Sequence, residues 1–309
     1  MKYFDAETVN AHLDYSLFIP FLKKQFTKEI EVPNRAHHNF GENTLLTMPA
    51  WNDEFLGTKL ATVHPSNKLR NLPAIHATYF LQSAITGEAI ATFEAKSLTN
   101  KRTAAASALA SSLLSRTNSK RLLMIGNGTL APELIRAHSS IRPIEEVYIW
   151  GRNSKNVDTL IAKNDWNNLK VRRANNLKEV VQMADIISCA TLSKMPLIVG
   201  EWLQNGQHVD LVGSYKPDMR EADDTTILRS RVFVDTFHAL KESGDLSIPL
   251  GNNILKRTDI QADLKTLCTC QNQGRTSSEE ITLFKSVGYA LEDLAAAVFV
   301  YQQMNNLQN

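Results

Sequence analysis

The spacing of apolar residues changes part-way along the chain. Residues 5–13 and 15–26 carry them at helical intervals, with Asp5 placed to cap the first helix and Pro20 expected to break or kink the second. Strand patterns follow at 44–48, 58–63, 74–82 and 89–94, parted by turn signals at Pro49, Gly57, Pro65-Ser66-Asn67 and Thr86-Gly87. Strands in succession without helices between them imply a mostly antiparallel sheet.

Residues 97–116, rich in Ala, Leu and Ser and free of Gly and Pro, form the strongest predicted helix. Beyond it strands and helices alternate. Strands are predicted at 121–125, 147–150, 170–173, 185–189, 209–212 and 232–235, with helices at 129–139 and 153–163. That rhythm implies βαβ units and a doubly wound parallel sheet. A final strand is read at 280–284. A last helix at 287–303 has apolar residues at Val287, Leu291, Leu294, Ala295 and Val298. It is expected to pack back on the first domain or across a subunit interface. The expected class is therefore α/β: a Rossmann-type domain at 113–284, and an α+β domain built from 1–112 and 285–309.

Composition narrows the class. The 309 residues are 43% hydrophobic and 21% charged, with a formal net charge of +2. This is the balance of an ordinary globular enzyme, and it argues against nucleic acid or an anionic membrane as partner. Three cysteines, Cys189, Cys268 and Cys270, are too few for a disulfide framework and suit a reducing cytoplasm. Cys268 and Cys270 lack a second Cys/His pair at zinc spacing. His64, His76 and His208 lack the spacing of metal ligands and are read as structural, so no metal is expected. No signal peptide and no run of about 18 apolar residues is found.

The chemistry starts at the predicted strand Leu122-Leu123-Met124-Ile125. It runs into Gly126-Asn127-Gly128-Thr129-Leu130-Ala131, a G-x-G-x-x-A turn opening a helix. The first glycine permits the turn, the second lets the backbone approach a pyrophosphate, and the small third residue lets helix and strand pack. The helix N-terminus then directs N–H groups at the anion. The next strand ends in Arg152, with Asn153 and Lys155 close behind, where an NAD site normally carries an acid. A guanidinium suits the 2′-phosphate, so NADP(H) is expected over NAD(H). Thr191, Gly213 and Ser214 end parallel strands and are expected to contact the cofactor.

Several further stretches occur in a fixed order: Glu31-Val32-Pro33-Asn34-Arg35, Met48-Pro49-Ala50-Trp51, Gly57-Thr58-Lys59, His64-Pro65-Ser66-Asn67 and Thr99-Asn100-Lys101-Arg102-Thr103. Trp150-Gly151-Arg152, Gly213-Ser214-Tyr215-Lys216-Pro217-Asp218-Met219-Arg220-Glu221 and Phe284-Lys285-Ser286-Val287-Gly288 continue the series. With the glycine turn, this series resembles the ornithine cyclodeaminase/μ-crystallin family nearly end to end. The resemblance implies a dimerising substrate domain, a Rossmann domain and an active site in the cleft between them. It implies that Arg35, Lys59 and Arg102 hold a substrate α-carboxylate, beside Met48. Ser286 and Gly288 would line the nicotinamide and substrate cleft, and Thr103 would touch the cofactor. Arg102, near the start of a helix, is poorly placed for the helix dipole unless it serves an anion.

Departures from the family pattern choose between its branches. Where cyclodeaminases carry a catalytic Asp this chain has Tyr215, and where they carry an acid near the far end of ornithine it has Leu46. The resemblance then points to the reductase branch, acting on Δ1-pyrroline-2-carboxylate or Δ1-piperideine-2-carboxylate, with Lys59 as proton donor in a cytoplasmic homodimer. Other amino-acid or N-substituted amino-acid dehydrogenases, an ornithine cyclodeaminase, and a non-catalytic μ-crystallin-like binder of NADPH or small ligands stay open at this point.

Overall fold

The structure is a computed structural model and describes residues 1–306. The chain forms two compact units, Met1–Thr103 with the chain from Tyr289 onward, and Ala104–Gly288. The first division falls inside one long helix, which supplies residues to both units, and the second falls after Gly288. The sequence reading had set them at 112 and 284.

The first unit runs β1 (Lys2–Phe4), α1 (Ala6–His12), α2 (Tyr15–Phe26), β2 (Ala36–Phe40), β3 (Asn43–Trp51), β4 (Phe55–Val63), β5 (Ile75–Ser83), β6 (Ala89–Glu94) and the start of α3 (Ala95–Leu114). Its six-stranded sheet has the order β1-β6-β5-β4-β3-β2, antiparallel except where β1 pairs parallel with β6. Two of these strands were not expected. β1 has three residues, and β2 reads Ala-His-His-Asn-Phe with no alternation of apolar residues. Both lie at sheet edges, where a partner strand rather than the hydrophobic pattern fixes pairing.

Asp5 caps α1 as expected, accepting from Thr8 N at 2.8 Å. Pro20 does not break α2, which is continuous over twelve residues. Pro20 lies on the exposed side of α2, while Phe18, Ile19, Leu22 and Phe26 are buried on the other, so packing outweighs the missing N–H.

The second unit contains the rest of α3, then β7 (Arg121–Ile125), α4 (Ala131–Ile141), β8 (Glu146–Trp150), α5 (Ser154–Lys163), β9 (Lys170–Arg173), α6 (Leu177–Met183), β10 (Ile186–Cys189) and β11 (His208–Leu211). It continues with α7 (Asp224–Leu228), β12 (Ser230–Val234), α8 (Ala239–Glu242), α9 (Gly244–Gly251), β13 (Ile260–Asp263), α10 (Leu264–Cys268) and β14 (Ile281–Lys285). The eight strands are all parallel, in the order β13-β12-β14-β11-β10-β7-β8-β9. The six from β9 to β14 follow the 3-2-1-4-5-6 order of a Rossmann sheet. β14, read as a last strand, thus lies inside the sheet. β13, too short and polar to show in the sequence, extends its far edge. Leu123, Ile125, Ile187, Val209, Leu211 and Leu283 are fully buried, as strands covered on both faces require.

The last described element, α11 (Ala290–Asn306), belongs to the first unit. Among the described residues no helix is long and apolar enough to cross a membrane.

Candidate active site

In the first unit the register of the sheet collects residues far apart in sequence. Met48 pairs with Lys59, and Lys59 with Tyr79, so their side chains form one row on one face. Ala36 pairs with Thr47, which sets Arg35, one residue earlier, next to Met48 at the head of that row. Met48, Lys59 and Tyr79 are buried, and Arg35 is half-buried. The Tyr79 phenol lies over Gly57, where any side chain would collide with it.

Helix α11 lies against this face and carries Glu292 and Asp293 in its first turn, both fully buried. Asp293 bridges two cations: Oδ2 accepts from Lys59 Nζ at 2.7 Å, and Oδ1 from Arg102 Nε at 2.9 Å. Arg102 Nη1 also donates to Glu292 Oε2 at 2.6 Å. Arg102 lies well past the first turn of α3, so its odd placement on the helix dipole disappears. The acids that answer it sit instead at the favourable N-terminal end of α11.

Burial pushes the Lys59 ammonium down, Asp293 holds it up, and the Arg102 and Arg35 charges push it down again, leaving its pKa at about 8. Burial is the largest of these influences, and the two guanidiniums are secondary to it. Burial raises the Asp293 carboxyl, but the Arg102 and Lys59 charges overcome that and hold it below its ordinary value. Sequence reasoning missed Glu292 and Asp293. Their signal was two adjacent acids inside an otherwise apolar helix, which need buried partners.

In the second unit β7 lies between β10 and β8, the point where successive crossovers run to opposite sides. Ligands bind at such a point, outside the carboxyl ends of the strands. A pocket of about 290 Å³ opens there, lined in part by Gly126, Asn127, Gly128, Arg152, Asn153 and Thr191. Gly126 has φ +118°, and a Cβ would collide with the Ala190 carbonyl. Around Gly128 a Cβ would meet nothing within 4 Å. The N-cap residue of α4, Leu130, provides no side-chain hydrogen bond to the N–H groups that open the helix. Open space over a glycine beside an uncapped helix start fits a dinucleotide pyrophosphate.

The other expected cofactor residues divide. Asn153 lines the pocket, but its side chain caps α5 through Lys155 N at 3.0 Å and Asn156 N at 3.4 Å. Arg152 is exposed at the rim; Lys155, also exposed, is outside the lining, where Asn156 stands instead. Thr129 and Leu130 complete the turn, and Ala131 begins α4. Thr103 is buried in α3. Thr191, Gly213 and Ser214 are tied to one carboxylate, Glu221. Asp235 Oδ2 accepts from Ser286 Oγ at 3.0 Å and from Val287 N and Gly288 N, each at 2.7 Å. These two acids also escaped the sequence reading.

Among the described residues no cluster of His, Cys, Asp and Glu could hold a metal. His208 is fully buried, its Nδ1 shares a hydrogen bond with Thr282 Oγ1 at 2.9 Å, and burial lowers its pKa to about 3.

The model of the ornithine cyclodeaminase/mu-crystallin family matches residues 5–308. The chain belongs to this family. A Δ1-pyrroline-2-carboxylate reductase from Colwellia psychrerythraea is 40% identical over 316 aligned residues, covering 98% of this chain and 99% of that protein. Among solved structures, the Thermococcus litoralis Δ1-pyrroline-2-carboxylate reductase in complex with NADH and L-proline superposes with a TM-score of 0.93 at 28% identity, covering 100% of this chain and 98% of that one. An archaeal alanine dehydrogenase dimer with bound NAD gives 0.92 at 25% identity, over 100% of this chain and 97% of that one.

Proposed function

We propose that this family member reduces a cyclic α-imino acid, Δ1-pyrroline-2-carboxylate or its six-membered homologue, to proline or pipecolate with a nicotinamide cofactor. The observation that carries the reading is the cluster of cations around Lys59. Lys59 and Arg102 share the buried carboxylate of Asp293, and the charges of Arg102 and Arg35 both act on the Lys59 ammonium. Guanidinium and ammonium groups gathered in a largely buried site suit a substrate that bears a carboxylate. The relatives named for this reductase support the same chemistry.

The residues from Gly126 to Ala131 would hold the pyrophosphate, and the bound cofactor supplies the hydride. The chain's own part is orientation and a proton. Arg35 and Arg102 fix the carboxylate and so the face of the C=N bond that is presented. Lys59 Nζ gives a proton to the imine nitrogen, because an iminium accepts hydride more readily than a neutral imine. Asp293 holds Lys59 in line for that transfer. Burial of Met48 and Tyr79 beside Lys59 keeps bulk water from the proton.

Incubation with Δ1-pyrroline-2-carboxylate and Δ1-piperideine-2-carboxylate is expected to oxidise NADPH or NADH and yield one enantiomer of the amino acid on chiral chromatography. Turnover of pyruvate plus ammonia, with neither imine reduced, would move the chain to an open-chain dehydrogenase.

NADP(H) is the expected preference, with NAD(H) also accepted, because Arg152 offers a guanidinium at the pocket rim. Arg152→Asp is expected to lower the NADPH/NADH selectivity, measured as a ratio of kcat/KM, by about tenfold, one lost charge-assisted contact. An unchanged ratio removes Arg152 from cofactor choice.

The sheet face opposite Lys59 carries Leu45, Trp51, Leu60 and Phe80, apolar and only half-buried. Such a face favours a homodimer through this sheet. No disulfide joins the three cysteines, which suits a reducing cytoplasm.

A further inference from the structure

The loops that leave the carboxyl ends of β10 and β11 converge on one carboxylate. Glu221 Oε1 accepts from Thr191 N at 2.6 Å and from Thr191 Oγ1 at 2.9 Å. Its Oε2 accepts from Gly213 N at 2.8 Å and from Ser214 N at 3.1 Å. These donors engage both carboxylate oxygens; burial raises the Glu221 carboxyl above its ordinary pKa, and the Lys285 charge and the hydrogen bonds pull it part of the way back down. Glu221 is itself held, because its backbone N–H donates to Asp245 Oδ1 at 2.7 Å. The Lys285 ammonium stands 3.9 Å from Glu221 Oε2 and 3.3 Å from Asp245 Oδ2. All three side chains are fully buried.

A buried charge is costly, and a fold keeps one where the geometry it enforces matters. Here that geometry is a wall of the dinucleotide pocket, since Thr191 lines it. Gly213 packs so closely on the Thr191 backbone that a side chain there would collide with it. The two loops are therefore held together by a glycine contact and a shared carboxylate.

We propose that Glu221 is a positioning residue for the nicotinamide cofactor, fixing the loop after β10, braced by the loop after β11, as a preformed wall of its pocket. The proposal rests on the reading that this pocket takes NADH or NADPH. A preformed wall spares the ordering cost that binding would otherwise carry. Glutamine in place of Glu221 keeps one accepting oxygen but turns an amide NH₂ toward two N–H donors, so one loop is released.

The test is titration of NADH fluorescence with the parent, Glu221→Gln and Asp185→Asn. Asp185 is a matched control. It accepts from Arg116 Nη2 at 2.7 Å, Lys120 N at 2.8 Å and Arg121 N at 2.9 Å, at the opposite end of the same sheet. Glu221→Gln is expected to raise the dissociation constant for NADH at least about tenfold, the effect of about one lost hydrogen bond to a charged group. Asp185→Asn is expected to lower the melting temperature yet keep that constant within about twofold, since its donors lie away from the pocket. Parental affinity in Glu221→Gln, or equal weakening in both variants, overturns the proposal. If Glu221→Gln does not fold, Asp245→Asn weakens the hold on the Glu221 backbone and alters the charge balance at Lys285 while leaving the Glu221 carboxylate in place. It is expected to weaken NADH by a smaller factor, and parental affinity there overturns the proposal equally. A parent that binds neither NADH nor NADPH overturns the functional reading itself.

Discussion

Lys59→Met is expected to lower imine reduction by about a thousandfold, within the range attributed to a positioned general acid, while NADH binding stays near the parental value. Methionine keeps the length and apolar stem of lysine, so the row beside Met48 and Tyr79 stays filled. What is lost is the proton and one partner of Asp293. The pH dependence gives an independent check. With a pKa of about 8, Lys59 carries its proton below that pH and sheds it above. Reduction by the parent should therefore fall as pH rises through about 8, and oxidation of the amino acid, which needs the free amine, should rise over the same interval. Lys59→Met should lack that limb in both directions. Near-parental turnover in the variant takes Lys59 out of the mechanism.

Asp293→Asn is expected to have the largest effect on stability. The carboxylate neutralises two cations whose surroundings exclude water, Lys59 at 2.7 Å and Arg102 at 2.9 Å. Removing one member of such a cluster leaves charge buried without compensation, which costs about 3–5 kcal/mol. Denaturant unfolding should show that loss. The same change removes the attraction that holds the Lys59 proton, so the high-pH limb of reduction should move to lower pH. A variant that keeps parental stability and an unmoved limb would mean that Asp293 neither supports the fold nor sets Lys59.

The Rossmann unit was legible because its signals are local. A strand, a glycine turn and a helix lie in one unbroken stretch from Arg121 to Ile141, and the parallel strands are apolar enough to stand out. The cations of the first unit were legible one by one through the family resemblance. Their counter-ions were not. Asp293 meets Lys59 from 234 positions away and Arg102 from 191, so no window along the chain contains the pair. Glu221 and Asp235 were hidden for another reason. They bind mainly backbone N–H groups, which every residue offers, so no partner type in the sequence marks them. Pro20 misled because its cost is local, while the packing that outweighs it is tertiary.

The placement of α11 also sets an order of assembly. The second unit is one continuous stretch and can close as soon as the ribosome has released it. The first unit begins earlier in synthesis but lacks α11 until the second unit has emerged. Until then Lys59 and Arg102 have no Asp293, and burying them is unfavourable. Of the two units, the one that starts first is thus completed after the other, and its six strands wait on α11 for the charge that lets their inner face close.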